Sequence, residues 1–379
     1  MGLESAEILI VGAGAAGLST AAALRAEGVS SVVLEQDERI GGSWERRYDR
    51  LHLHTVRTFS SLAHYPIPRS FPRYVPKDAF ARYLRGYAQA FELRVVHSCA
   101  VTRVRPPEAG DGRWRVETRQ GDWVAPVVVL ATGRFGRPLV PQWPGAPGWG
   151  GEILHSSRYR NPAPFRGRRV LVVGAGNSGC EIAADLAENG VAVAISIRTP
   201  PPIVPRDFLG VPVQVFGMLL GRLPVRVADG IARSLARLAT GDLERLGLRP
   251  AAWSAFRARK VPVIDVGFLA QLRAGRIRLR PSVSGFTARQ VQFEDGSTEA
   301  YDAVVAATGF RPGLAEVLGS QEWLGADGLP RFPSGGPTPV AGLFFVGFTE
   351  SFRGVLFEAR RDSRRLARFL SRSTARRVR

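Results

Sequence analysis

Hydrophobic positions along the chain come in short unbroken runs rather than strict alternation. "EILIV" from Glu7, "SVVLEQ" from Ser31 and "VVVLATG" ending at Gly133 are three such runs. "RVLVV" from Arg169, "VAVAIS" from Val191 and "AVVAATG" ending at Gly309 are three more. Such runs, bounded by glycine and polar residues, predict strands buried on both faces, the habit of parallel sheets. A strand placed at Glu7 leaves little chain ahead of it for a signal peptide. Two alanine- and leucine-rich stretches, "AAGLSTAAAL" and "NSGCEIAADL", follow the first and fourth runs and predict helices.

The pattern is doubled. The first run leads into "GAGAAG" and the fourth into "GAGNSG". Each half then carries a glycine-punctuated polar stretch that reads as short antiparallel strands. These are "GDGRWRVETRQGDWVA" and "FTARQVQFEDGSTEA". Each meander ends in an apolar strand closed by Ala-Thr-Gly, at Thr132 and Gly133 and again at Thr308 and Gly309. A third piece, "GLFFVGFTESFRGVLFEARRDSRRLARFL", gives an apolar strand, Gly347 and a helix, but no glycine motif. It is expected to pack back on the first domain.

The glycines carry the candidate chemistry. Gly12 is expected to make the tight turn off the strand. Gly14 leaves room for a pyrophosphate, and Gly17 lets helix and strand pack closely. Gly174, Gly176 and Gly179 repeat these roles, with Asn177 and Ser178 opening the second helix. A helix N-terminus at each place offers free amide donors and partial positive charge to phosphates. Glu35 ends the second strand of the first half, where a carboxylate accepts from a ribose diol. At the matching end of the second half stands Arg198, suited to a 2′-phosphate. This difference assigns FAD to the first domain and NADPH to the second. Arg206 is a further candidate for the phosphate or simply a solvated arginine. The expected fold is therefore α/β, with two Rossmann-like dinucleotide-binding domains, the second inserted into the first. The FAD domain takes residues 1–150 and returns at 311–379 with a basic C-terminal helix. The NADPH domain takes residues 151–310.

Composition changes this picture little. The 379 residues are 45% hydrophobic and 22% charged, with a net charge of +19. Lys77 and Lys260 are the only lysines, so the basic charge is arginine spread along the chain. No block interleaves basic and aromatic residues as a nucleic-acid platform would, so no nucleic-acid partner is expected. The dense tail "RRDSRRLARFLSRSTARRVR" reads as a solvated terminal helix with Leu366, Phe369 and Leu370 on one face. Contact with an anionic membrane surface is its alternative reading, and membrane contact is expected to be peripheral at most. No apolar run is long enough to span a bilayer. A cytoplasmic location is expected, and a homodimer is compatible with it. Cys99, on an expected strand, and Cys180, on the second helix, read as buried reduced thiols rather than a redox pair. The five histidines show no metal-ligand spacing, and no metal is expected.

Two dinucleotide domains in one chain imply hydride transfer from NADPH to FAD. The electrons could then pass to oxygen, to a quinone or to a partner protein. "WGGEILHSSRY" resembles the identifying signature of flavin-containing monooxygenases, with Trp149, Gly151, His155 and Tyr159 at its fixed places. "GGSW", with Gly42 and Trp44, and "ATGF" at 307–310 also fit that family. Baeyer–Villiger monooxygenases end the signature with Trp, where this chain has Tyr159. Within the family the chain is similar to YUCCA-type enzymes, which convert indole-3-pyruvate to indole-3-acetate. "YDRLHLHT", "PRDFLG", "GDLERLGLRP" and "KVPVIDVGFLAQLRAGRI" carry that likeness. The resemblance implies molecular oxygen and a small organic molecule as substrates, through a C4a-peroxyflavin. An aromatic 2-oxo acid such as indole-3-pyruvate is expected first, and an amine or sulfide is the alternative. It places His54 beside the flavin as an ionisable pocket group and Trp44 against the flavin. It makes His155 a link between the cofactors. A 2-oxo acid carries a carboxylate, for which Arg57 is the candidate partner. "VPVQVFGMLLGRLP" is long for a connection and is expected to cover the pocket or its entrance.

Overall fold

A computed structural model describes residues 3–377, with side chains described as far as Ser373. Val378 and Arg379, the end of the basic tail, lie outside the described residues. The fold is mixed α/β.

The chain opens with a short edge strand, Glu4–Ser5, and then β1 (Ile8–Val11), one residue later than the sequence pattern suggested. Helix α1 (Ala15–Ala26) and β2 (Val32–Leu34) follow. Next come α2 (Lys77–Ala90) and β3 (Val95–Val96), and then β4 (Val101–Arg105), β5 (Trp114–Thr118), β6 (Trp123–Ala125) and β7 (Val127–Leu130). The middle of the chain supplies β8 (Glu152–His155), β9 (Arg169–Val173), α3 (Asn177–Glu188) and β10 (Ala192–Ser196). Helices α4 (Val213–Leu220) and α5 (Val225–Thr240) precede β11 (Ile277–Arg280) and β12 (Val283–Phe286). After β13 (Val291–Phe293), β14 (Thr298–Glu299) and β15 (Ala303–Ala306), the chain ends in β16 (Leu343–Phe345) and α6 (Val355–Arg377).

These elements form two compact units. The first is built from residues 1–45, 55–137 and 310–379, the second from 46–54 and 138–309. In the first unit a five-stranded parallel sheet runs β16, β7, β1, β2, β3. Leu9, Val128, Leu130, Leu343 and Phe345 are fully or almost fully buried in it, as sequence runs without polar breaks require. The returning strand β16 pairs with β7, Leu343 opposite Val128. Beside this sheet β4, β5 and β6 form an antiparallel meander closed by Glu4–Ser5. The second unit repeats the plan. Its parallel sheet runs β8, β15, β9, β10, β11, and β12, β13 and β14 make its meander.

Two expectations differ from the structure. Cys99 stands ahead of β4 rather than on a strand, although it and Cys180 are buried free thiols as expected. The basic tail is not a solvated helix: α6 packs on α1. Leu366 and Leu370 are buried, and the Thr20 and Ser363 hydroxyls meet at 3.0 Å inside that contact. Phe369 stays partly exposed, its ring 5.9 Å from Phe344. The apolar run "VPVQVFGMLLGRLP" folds into α4 and the turn after it, and Leu219 and Leu223 face outward. No helix among the described residues is long and apolar enough to cross a membrane.

Candidate functional site

Each glycine loop is shaped by close approach of backbone to backbone. Gly12 has φ +103°, and its amide donates to the Leu34 carbonyl at 2.8 Å. A side chain there would be both strained and set 3.0 Å from the Ala131 carbonyl oxygen. A Cβ on Gly17 would lie 1.8 Å from the Gly12 carbonyl oxygen, so only glycine lets α1 sit this close to β1. Gly14, the residue that caps α1, is different: a Cβ there meets nothing within 4 Å. The open space lies at a helix N-terminus with unpaired amides, a cradle for phosphate.

The second loop repeats this nearly atom for atom. Gly174 has φ +106° and donates to the Ser196 carbonyl at 3.0 Å. A Cβ on Gly179 would lie 1.8 Å from the Gly174 oxygen, and one on Gly176 meets nothing within 4 Å.

The two loops differ in the residue that follows the neighbouring strand. In the first unit Glu35 accepts from the Ala13 amide at 2.6 Å and the Asp37 amide at 2.9 Å. Burial pushes its pKa up, while these amides and nearby His97 pull the other way. The carboxylate is thereby fixed at the glycine loop. Because Gly12 bonds Leu34 and Gly174 bonds Ser196, the counterpart of Glu35 is Ile197, which is buried. Arg198 is the next residue and its side chain is exposed. The second loop thus lacks the acid and has a cation one step further out.

Polar groups around the first loop separate into satisfied and unsatisfied. Thr132, just past β7, has a buried hydroxyl oxygen with no hydrogen-bond partner. Its counterpart Thr308 donates to the Leu139 carbonyl instead. Gly133 and Gly309 both have positive φ, and a Cβ on either would meet nothing within 4 Å, so neither is held by crowding. Gly347 has φ +88°, a Cβ there would lie 2.6 Å from that of Ala16, and its amide donates to Ser334 at 3.0 Å. It therefore brings the loop after β16 against the first turn of α1. An orphaned buried hydroxyl, an open helix N-terminus and a held carboxylate fit a dinucleotide with a ribose diol.

Other expected residues serve the protein itself. The Asn177 side-chain oxygen accepts from the Ile264 amide at 2.8 Å, and the Ser178 hydroxyl bonds Tyr48. Both side chains therefore make contacts within the second unit. His155 ends β8. Its Nδ1 accepts from the Ser157 amide at 3.1 Å, so the proton sits on Nε2, which donates to the Gly309 carbonyl at 2.9 Å. Burial lowers its pKa and keeps the ring neutral. It ties β8 to the Ala-Thr-Gly turn, with both ring nitrogens engaged inside the second unit. Gly42 opens a one-turn helix, Gly42–Glu45, but the glycine the fold demands is its neighbour. Gly41 has φ +88°, and a Cβ there would lie 2.9 Å from that of Ala81. Trp44 is half-buried and edge-on to Phe80 at 4.7 Å. Arg57 donates to the Phe71 carbonyl at 2.8 Å and belongs to the first unit, whereas His54 belongs to the second. Arg206, half-buried, lies between the short strands Ile203–Pro205 and Asp207–Phe208.

The polar cluster on α3 has no counterpart in the sequence analysis. Glu181, 2% exposed, binds His54 Nε2 with one carboxylate oxygen and accepts from the Tyr48 hydroxyl at 3.2 Å with the other. One turn on, Asp185 accepts from the Tyr159 hydroxyl at 2.7 Å, with Arg50 at 3.6 Å. Segment 46–54 is thus fastened along α3 by acid pairs. Acids at i and i+4 inside the otherwise apolar "CEIAADLA" were the available signal.

The comparisons with known proteins agree with this geometry. The family model for flavin-binding monooxygenase-like proteins matches residues 5–316. Indole-3-pyruvate monooxygenase YUCCA6 of Arabidopsis thaliana is 35% identical over 376 residues, 95% of this chain and 88% of that protein. Indole-3-pyruvate monooxygenase YUCCA4 of Oryza sativa subsp. japonica is 36% identical over 378 residues, 93% of this chain and 85% of that protein. Among solved structures, a flavin-containing monooxygenase from Stenotrophomonas maltophilia superposes with a TM-score of 0.76 at 26% identity. It covers 98% of this chain and 100% of its own. The chain belongs to the flavin-binding monooxygenase-like family, and it is an oxidoreductase of the monooxygenase class with FAD and NADPH as its cofactors.

Proposed function

We propose that the first unit is the FAD-binding domain and the second an NADPH-binding domain inserted into it. The enzyme converts an aromatic 2-oxo acid, with indole-3-pyruvate the leading candidate, to the shortened carboxylic acid. Per turnover the 2-oxo acid, oxygen, NADPH and a proton give the acid, carbon dioxide, NADP+ and water. One oxygen atom enters the acid and the other leaves as water. Bound NADPH supplies the hydride and bound FAD the place where oxygen is activated.

The protein's own residues have simpler tasks. Gly12, Gly14 and Gly17 admit the FAD pyrophosphate to the N-terminus of α1, and Glu35 takes the ribose diol. Thr132 offers its free hydroxyl. Gly174, Gly176 and Gly179 do the same for NADPH at α3, and Arg198 binds the 2′-phosphate. His54, oriented by Glu181, acts as an acid–base group toward the substrate, and Arg57 meets the substrate carboxylate with the donors that Phe71 leaves free. Glu181 is a positioning residue in this reading.

The observation that carries the substrate class is the extent of likeness. The proteins named as indole-3-pyruvate monooxygenases match over 84–95% of this chain, well beyond the glycine loops common to many flavoproteins. The test is a product screen with purified enzyme, NADPH and catalase. Indole-3-pyruvate, phenylpyruvate, a tertiary amine and a thioether are compared. Indole-3-acetate or phenylacetate in proportion to NADPH used supports the proposal. An N- or S-oxide as the sole stoichiometric product replaces it with heteroatom oxygenation.

A further inference from the structure

Eight of the fourteen large hydrophobic side chains exposed among the described residues lie between Leu209 and Leu238. Chance scatter would not gather them in so short a stretch, and contiguous exposed apolar surface marks a contact site. Helix α5 shows how it is built. Ala228, Asp229 and Thr240 are buried against the strand Ile203–Pro205 and the one-turn helix Ala255–Ala258. The outward face carries Val227, Ile231, Ser234 and Leu238, spaced i, i+4, i+7, i+11, which places them in one stripe. Leu238 is 75% exposed. Arg226, Arg233 and Arg237 form the adjoining stripe, all exposed, and Arg222 stands exposed on the turn before α5.

The charge on this face is one-sided. Between residues 209 and 241 the only acid is Asp229. It is buried, its carboxylate accepting from the Ser254 hydroxyl at 2.8 Å and the Phe256 amide at 3.2 Å. The outward surface therefore pairs an apolar stripe with uncompensated arginines. A second copy of the chain is a poor occupant, since a two-fold contact would set these arginines against one another with no acid to meet them. An interface that is apolar below and anionic above matches both stripes. Arginine stems lie along the apolar stripe and the guanidinium groups reach lipid phosphates.

We propose that the outward face of α4 and α5 lies on an anionic lipid bilayer. Val227, Ile231 and Leu238 enter the boundary between headgroups and acyl chains, and Arg222, Arg226, Arg233 and Arg237 meet the phosphates. The contact is peripheral and made by the second unit. The basic α6, the element the sequence singled out for such contact, spends its apolar face on α1.

The test is flotation of the FAD-loaded protein with phosphatidylcholine vesicles, alone or with about a third phosphatidylglycerol. Binding to the anionic vesicles, weakened by added salt, is expected, with little binding to the neutral ones. Arg233→Glu with Arg237→Glu should weaken it by about 25-fold or more, from about fivefold per arginine near an anionic surface. Leu238→Ser with Ile231→Ser should weaken it by about tenfold or more. Thermal melting of each variant checks that it is folded. No flotation of wild-type protein with anionic vesicles overturns the proposal without recourse to variants. So does flotation untouched by both double substitutions, which would return the contact to another surface. If the apolar substitutions instead convert a dimer to a monomer in sedimentation, with no effect on vesicles, the face is a self-contact.

Discussion

Gly17 and Gly12 approach so closely that a Cβ on Gly17 would sit 1.8 Å from the Gly12 carbonyl oxygen. Gly14, between them, faces open space. The same contrast recurs at Gly179, Gly174 and Gly176. One loop thus contains a glycine the fold needs and a glycine the fold does not need.

That contrast separates structure from ligand binding. Gly14→Val should fold with near-normal melting in the flavin-free state but purify colourless. Gly17→Val should lower the melting temperature of the flavin-free protein itself, because backbone must move to admit the side chain. Flavin absorbance and calorimetry of the two variants check this. Full flavin occupancy in Gly14→Val would remove the pyrophosphate from this loop.

Arg198 stands one residue beyond the position that Glu35 occupies in the first unit, exposed and with no acid at the buried Ile197 before it. Arg198→Ala should raise the KM for NADPH roughly 10- to 100-fold, from the 1.5–3 kcal/mol typical of a charge-assisted bond. The KM for NADH should stay within about twofold. Equal losses for both coenzymes would mean that Arg198 does not bind the 2′-phosphate.

Glu181 and Glu188 lie on the same helix but in different surroundings. Glu181 is buried with two partners, His54 and Tyr48, whereas Glu188 meets Arg50 near the surface. Glu181→Leu leaves buried donors unpaired and should cost about 1–3 kcal/mol of stability. Glu188→Ala should cost less than about 1 kcal/mol. Denaturant titrations distinguish them, and comparable small losses would show that the α3 cluster does not hold segment 46–54.

Tyr159 and Asp185 make a pH-dependent contribution. Burial raises the Asp185 pKa above its ordinary value, and the Tyr159 hydroxyl and Arg50 offset part of that rise. An acid with a raised folded-state pKa is a burden when ionised, and protonation relieves it as the pH falls through that value. Tyr159→Phe removes a donor to the carboxylate, so its cost is largest where Asp185 is ionised. The deficit against wild type should be about 1.5–3 kcal/mol at pH 8 and should shrink as the pH is lowered toward 5. Melting curves across that range test the sign, and a deficit that grows on acidification would contradict it.

Much of the architecture was legible because it is written in local terms. Unbroken apolar runs specified β1, β7, β9 and β15, and the two Ala-Thr-Gly turns marked the ends of β7 and β15. Glu35, fixed at the first glycine loop by the Ala13 and Asp37 amides, was legible from its step along the chain, whereas the matching step in the second unit falls on buried Ile197, one residue before Arg198. The α3 cluster was not legible in the same way. Glu181 and Asp185 stand out in an apolar helix, but their partners Tyr48, His54 and Arg50 come from segment 46–54, distant in sequence. His155 was legible as a signature residue, but its engagement with Ser157 and Gly309 depends on β8 pairing with β15. The outward apolar face of α5 was hidden for the opposite reason. Hydrophobic periodicity shows that a helix has an apolar side and leaves open whether any part of the protein covers it.

In the proposed reaction the chain inserts one atom of molecular oxygen into an aromatic 2-oxo acid at the expense of NADPH. The direct measurement is mass spectrometry of the product from indole-3-pyruvate under isotopically labelled oxygen, with catalase present to remove free peroxide. Indole-3-acetate carrying one labelled oxygen atom, formed in proportion to NADPH consumed, is the expected result. NADPH oxidation that yields peroxide alone, with no labelled acid, would contradict it.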